Sequence, residues 1–132
     1  WADQYDIGVI VENHGGYSSD ADWLVGVMEM VDHPNCGTLP DTGNFRIDED
    51  ETYSSYEGVE KLMPYAKGVS IKTEGYDEEG DNVELDLERI MRTVTDSGYH
   101  GWCGIEHGPE GREWEGIVAL RDELRRIRSA IA

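Results

Sequence analysis

Four β-rich runs recur along the chain at an almost constant interval, and a period of that length admits few folds. The runs are Ile7–Glu12, Cys36–Asp41, Gly68–Thr73 and Tyr99–Glu106, with starts 29, 32 and 31 residues apart. A helical pattern follows each of them. Trp23, Leu24, Val27, Met28 and Val31 share one helix face behind a candidate N-cap at Ser19 or Asp20. Tyr56, Val59, Leu62, Met63 and Ala66 form the second stripe. Leu87, Ile90, Met91 and Val94 form the third, which Gly98 closes. Ile117, Leu120, Leu124, Ile127 and Ile131 form the last. Parallel strands need a long crossover, ordinarily a helix, so this alternation predicts an α/β chain of four parallel βα units in one domain, 1–132.

The connections are unequal. Helix-to-strand links such as Ala66–Lys67 and Ser97–Gly98 are tight, whereas the strand-to-helix links at 13–19, 42–52, 74–84 and 107–112 are long and polar. In parallel α/β folds the functional site gathers at the C-terminal ends of the strands, where those longer loops lie. Three of the four strands end there in a carboxylate: Glu12, Asp41 and Glu106. The third strand presents Ser70 and Lys72 instead. With 29 acidic residues in the chain, a single acid is ordinarily solvated surface. The same placement on three strands is a pattern. Carboxylates brought close cannot all stay ionised without protons or a cation among them, and oxygen ligands suit a hard divalent ion. The acid-rich runs at 48–51 and 77–81 read as solvated loops, the second also as a β-hairpin flap turning at Gly80.

Composition removes other classes. A net charge of −18 repels phosphate backbones and anionic lipid, so neither nucleic acid nor a membrane surface is expected as a partner. No apolar run approaches the roughly 20 residues of a membrane span, and no leader is visible, so a cytoplasmic location is expected. The eight Arg and three Lys (Lys61, Lys67, Lys72) against so many acids suit a salt-adapted surface as well as an ordinary acidic protein. Cys36 and Cys103 lack metal-site spacing and read as buried free thiols. No Walker, dinucleotide or Ser-His-Asp pattern occurs. The chain opens Trp1-Ala2-Asp3-Gln4, which reads as the tail of a helix.

Four local motifs occur in order: Val11-Glu12-Asn13-His14-Gly15-Gly16, Leu39-Pro40-Asp41-Thr42-Gly43-Asn44-Phe45, Val69-Ser70-Ile71-Lys72-Thr73 and Gly104-Ile105-Glu106-His107. Together they resemble the sugar phosphate isomerase/epimerase group of the xylose isomerase-like TIM-barrel superfamily. That superfamily also holds hydroxypyruvate isomerase, ketose 3-epimerases, inosose dehydratase and endonuclease IV. The resemblance implies a (β/α)8 barrel of which this chain is the C-terminal half, strands five to eight. It implies one divalent metal ion (Mn2+, Mg2+, Co2+ or Zn2+) held by Glu12, Asp41 and Glu106, with Ser70 standing where relatives carry a fourth, histidine ligand. Water, His14, His107 or Asp77 would then complete the shell.

By the same resemblance, Glu12 and Glu106 shuttle a proton at the carbon beside a carbonyl, through an enediolate. Lys72 neutralises charge or donates a proton, and His14, Asn44, Lys72 and His107 contact substrate. The implied function is isomerisation or epimerisation of a small sugar or sugar phosphate. A dehydratase or lyase could use the same site. An endonuclease IV-like nuclease would need more histidines for its zinc cluster and less negative charge. A truncated, non-catalytic scaffold or binding module is the reading from another class. Half a barrel leaves two open strand edges, at Ile7–Glu12 and Tyr99–Glu106, and an apolar interior layer drawn from Val9, Val11, Val69, Ile71 and Ile105; a homodimer or larger assembly is therefore expected.

Overall fold

The structure is a computed structural model, and it describes residues 2–107 and 110–131. Four parallel strands stand where the period places them: β1 (Val9–Glu12), β2 (Cys36–Leu39), β3 (Val69–Ile71) and β6 (Cys103–Ile105). The helices α1 (Ala21–Val31), α2 (Ser55–Leu62), α3 (Leu87–Asp96) and α4 (Glu113–Ile131) alternate with them. β1 pairs with β2 and β3 with β6, both in parallel. A bridge between Asp41 and Ser70 joins the two ladders, with Ser70 N–H donating to Pro40 O at 2.8 Å and Thr42 N–H to Ser70 O at 3.0 Å. Strand order thus follows chain order, with a helix in each crossover, as in one wall of a βα barrel.

Caps fix the helix starts. Asp20 accepts from the backbone N–H groups of Asp22 and Trp23, Ser54 from Glu57 and Asp86 from Arg89. Gly98 ends α3 at φ +79°, a left-handed position where a side chain is strained. The last strand is shorter than expected. Tyr99 folds its hydroxyl back to donate to Trp102 O at 2.9 Å, and its ring lies where a Cβ on Gly101 would stand, so 99–102 is a closed loop.

An antiparallel hairpin, β4 (Glu74–Tyr76) and β5 (Asn82–Glu84), occupies the β3–α3 connection with Gly80 (φ +86°) in its turn. It docks on the start of α2, where Ser55 Oγ accepts from Tyr76 N–H at 2.9 Å. The turn at 48–51 is exposed and closed by the Asp48 carboxylate, which accepts from Asp50 N–H.

The core lies between strands and helices, where Leu24, Phe45, Val59, Leu62, Val69, Ile71, Ile90 and Leu120 are buried. In α1 the buried line is Ala21, Leu24 and Met28; Trp23 and Val31 are exposed, and Trp23 stacks on Tyr17 instead. The strand faces also differ from expectation. Val69 and Ile71 point at the helices, and their in-register partners Cys103 and Ile105 share that face, as Val9 and Val11 share it with Cys36 and Thr38. None of the five expected interior residues faces inward. The inner wall is instead Ile10, Gly37, Leu39, Ser70 and Gly104, the alternate set in the same registers.

α4 carries no formal net charge. It has four acids (Glu113, Glu115, Asp122, Glu123) and four arginines (Arg121, Arg125, Arg126, Arg128), with Arg126–Glu123 at 2.6 Å and Arg121–Asp122 at 2.8 Å. Cys36 and Cys103 are free and half-buried, and burial pushes the Cys103 thiol up. Among the described residues, no helix is long and apolar enough to cross a membrane.

Candidate metal centre

The face alternation that reverses the interior layer also builds the site. Glu12 ends β1 opposite Leu39, Asp41 follows β2 opposite Ser70, and Glu106 follows β6, so all three project from the inner wall. The backbone continues the ladder at that point, with Glu106 N–H donating to Ile71 O at 3.0 Å. One oxygen from each carboxylate lies within 4.8 Å of the others. Among the described residues, this is the cluster of acids, histidines or cysteines with metal-holding geometry.

Asp41 is fully buried and asymmetric. Its Oδ1 accepts from Gly43 N–H (2.9 Å) and Asn44 N–H (3.0 Å), a turn written in the sequence as Asp-Thr-Gly-Asn. Its Oδ2 is buried with no hydrogen-bond partner. Burial pushes the Asp41 carboxyl above its ordinary 3.8, opposed by the Ser70 side chain, the Gly43 N–H and Lys72, while Glu106 adds to the rise. A buried carboxylate oxygen without a hydrogen-bond partner, in a cluster of three carboxylates, is a set of hard donors that a divalent cation would satisfy. The residues present therefore fit a divalent ion.

Lys72, just beyond β3, reaches the same place. Its Nζ lies 3.0 Å from Glu106 Oε1 and 3.6 Å from Asp41 Oδ2, and donates to Asn44 Oδ1 at 2.9 Å. Asn44 Nδ2 in turn stands 3.5 Å from Glu12 Oε1, so this amide bridges an acid and the lysine. The other expected residues lie further out. His14 is exposed in the loop after β1, its backbone N–H on Ser18 Oγ. His107 turns away from the carboxylates and lies on Gly116 of α4, where a Cβ would strike its ring. There it borders a cavity of about 330 Å³ with Arg112 and Glu115. Asp77 closes the hairpin turn, accepting from the N–H groups of Glu79 and Asp81.

Two supporting residues carry no local mark. Asn13 is fully buried, donates to Asp41 O (2.9 Å) and Asn44 O (3.1 Å), and accepts from Asp41 N–H (2.8 Å). Thr42 exchanges two bonds with the Lys72 backbone, donating to its O at 3.0 Å and accepting from its N–H at 2.8 Å. Their only sequence signal is position: a polar residue directly past a strand end.

A wall of parallel βα units with a cluster of acids at its C-terminal mouth defines a protein of the βα-barrel class. A solved structure described as a xylose isomerase-like TIM barrel protein from Mycobacterium smegmatis in complex with magnesium matches 99% of the chain, with a TM-score of 0.76 and 23% identity. The match covers 47% of that protein, so this chain spans about half its length. No curated protein matches. The family model of the xylose isomerase-like TIM barrel matches residues 1–130, and the chain belongs to that family.

Proposed function

We propose that the chain carries the metal-binding half of a sugar or sugar phosphate isomerase or epimerase that works by moving a proton beside a carbonyl. The observation that carries this reading is the convergence of Glu12, Asp41 and Glu106, one oxygen of each within 4.8 Å of the others, with the buried Asp41 Oδ2 lacking a hydrogen-bond partner. Glu12, Asp41 and Glu106 would hold the ion. All-oxygen donors favour Mg2+ or Mn2+ over softer choices, and the magnesium named for the Mycobacterium smegmatis protein agrees with that. A bound ion of this kind supplies Lewis acidity toward a carbonyl and its neighbouring hydroxyl.

The chain's own residues divide the remaining work. Asp41, buried and fixed by two backbone N–H groups, anchors. Glu12 is half-buried and Glu106 half-exposed, so both can reach substrate, one taking a proton and the other returning one. Lys72 stands ready to stabilise negative charge developing on a substrate oxygen. Asn44 holds Lys72 and Glu12 in register with each other.

Titration with Mn2+ while following thermal unfolding tests the site. An ion that binds only the folded chain at a hundredfold excess over its dissociation constant adds about 2.7 kcal/mol, so Tm should rise, and chelator should reverse it. A Tm unmoved by millimolar Mn2+ removes the shared site. A panel of ketoses and ketose phosphates with Mn2+ then reads turnover; binding without turnover assigns this half a binding role and the chemistry to a longer assembly.

A further inference from the structure

We infer that the Lys72 ammonium is an exchangeable resident cation of the carboxylate cluster, leaving it when a divalent ion is bound, and that Lys72 therefore sets the metal affinity of the site. The inference rests on the metal reading above and adds a role for this chain's own lysine. Nζ already touches two of the three acids, at 3.0 Å from Glu106 Oε1 and 3.6 Å from Asp41 Oδ2. The second distance is too long for a hydrogen bond, which is why Oδ2 stays orphaned: the lysine offsets part of the cluster's charge without satisfying it. An ion held at ordinary metal–oxygen distances and an ammonium beside the same oxygens are like charges in a partly buried space. One must withdraw.

The local structure permits that movement in the side chain alone. Both backbone polar groups of Lys72 are tied to Thr42 Oγ1, so the strand end stays put. Gly43 leaves the channel in which the aliphatic stem runs; a Cβ there would lie 2.8 Å from Lys72 Cδ and 2.6 Å from Glu74 O. The lysine side chain is about a fifth exposed, so solvent is within reach of the ammonium. Asn44 Oδ1 is the partner it can keep or release.

Mn2+ affinity of the full chain, measured by calorimetry at one pH and one ionic strength, tests this in wild type, Lys72→Gln and Lys72→Arg. Removing the competing cation should tighten Mn2+ binding roughly tenfold in Lys72→Gln, and Lys72→Arg should stay within about threefold of wild type. A wild-type measurement stands beside the variants: amine labelling of Lys72, read by mass spectrometry against exposed Lys67, should increase when Mg2+ is added. Equal affinity in wild type and Lys72→Gln, or weaker binding in the variant, overturns the exchange and leaves the metal reading intact. Labelling that ignores Mg2+ overturns it as well. If neither protein takes up Mn2+, the metal reading itself falls and the inference with it.

Discussion

At Asp41 one carboxylate oxygen is tied to two backbone N–H groups and the other has no hydrogen-bond partner, only the Lys72 ammonium at 3.6 Å, inside a side chain with no solvent exposure. The fold therefore keeps the proton on this group to higher pH than the unfolded chain does, and burial is the cause. Because the folded chain holds more protons there, the contribution to stability falls as pH rises from 3.8 toward the folded value, and the cost is complete above it. Asp41→Asn lacks this cost. Urea unfolding of variant and wild type should show their stability difference moving in the variant's favour between pH 3.5 and 7, while the Mn2+-induced rise in Tm disappears. The three acids were legible in the sequence because strand ends in a parallel fold share one mouth. Asn13 was not, since its partners lie 28 and 31 residues away and only the closed fold brings them together. The interior layer was misassigned for a related reason: alternation gives two faces, but register against β2 and β3 decides which one the helices cover.

Among the elements, α2 shows packing overruling propensity. Gly58 sits in its middle, where alanine would ordinarily add about 1 kcal/mol of helix stability. A Cβ there would lie 2.1 Å from Phe45 Cε1, and Phe45 is fully buried with no room to retreat. Gly58→Ala should therefore lower the urea midpoint, a net loss of about 1–3 kcal/mol. The hydrophobic period located the four parallel strands and the four α-helices because parallel βα units repeat at a fixed length. It misjudged their ends, since the closed loop at 99–102 depends on a Tyr99–Trp102 contact that no pattern of apolar residues reports. The hairpin at 74–84 was legible only as an alternative to a solvated loop over 77–81, through its turn glycine. Its seat on Ser55 of α2 was invisible, being a contact between residues 21 apart.

For the whole molecule, β1 pairs only with β2 and β6 only with β3 among the described residues, and Ile7, Val9, Ile10 and Trp102 are exposed along those flanks. Open edges and wet apolar side chains favour association, and we keep the proposal of a homodimer or larger assembly on that ground. Light scattering behind a sizing column should give about twice 14.9 kDa or more; a monomer at micromolar concentration that binds no apolar dye removes the proposal. The balanced charge of α4 carries a different consequence. Four acids against four arginines leave that helix neutral, so the whole −18 resides on the rest of the chain, which includes the carboxylate mouth. Such a surface raises the local concentration of divalent cations around the mouth above its bulk value. Added KCl relieves the self-repulsion and disperses that local excess together. Between low ionic strength and molar KCl, the melting temperature of the metal-free chain should climb while its apparent Mn2+ affinity declines, so the salt that best preserves the protein is not the salt at which the proposed site best binds an ion.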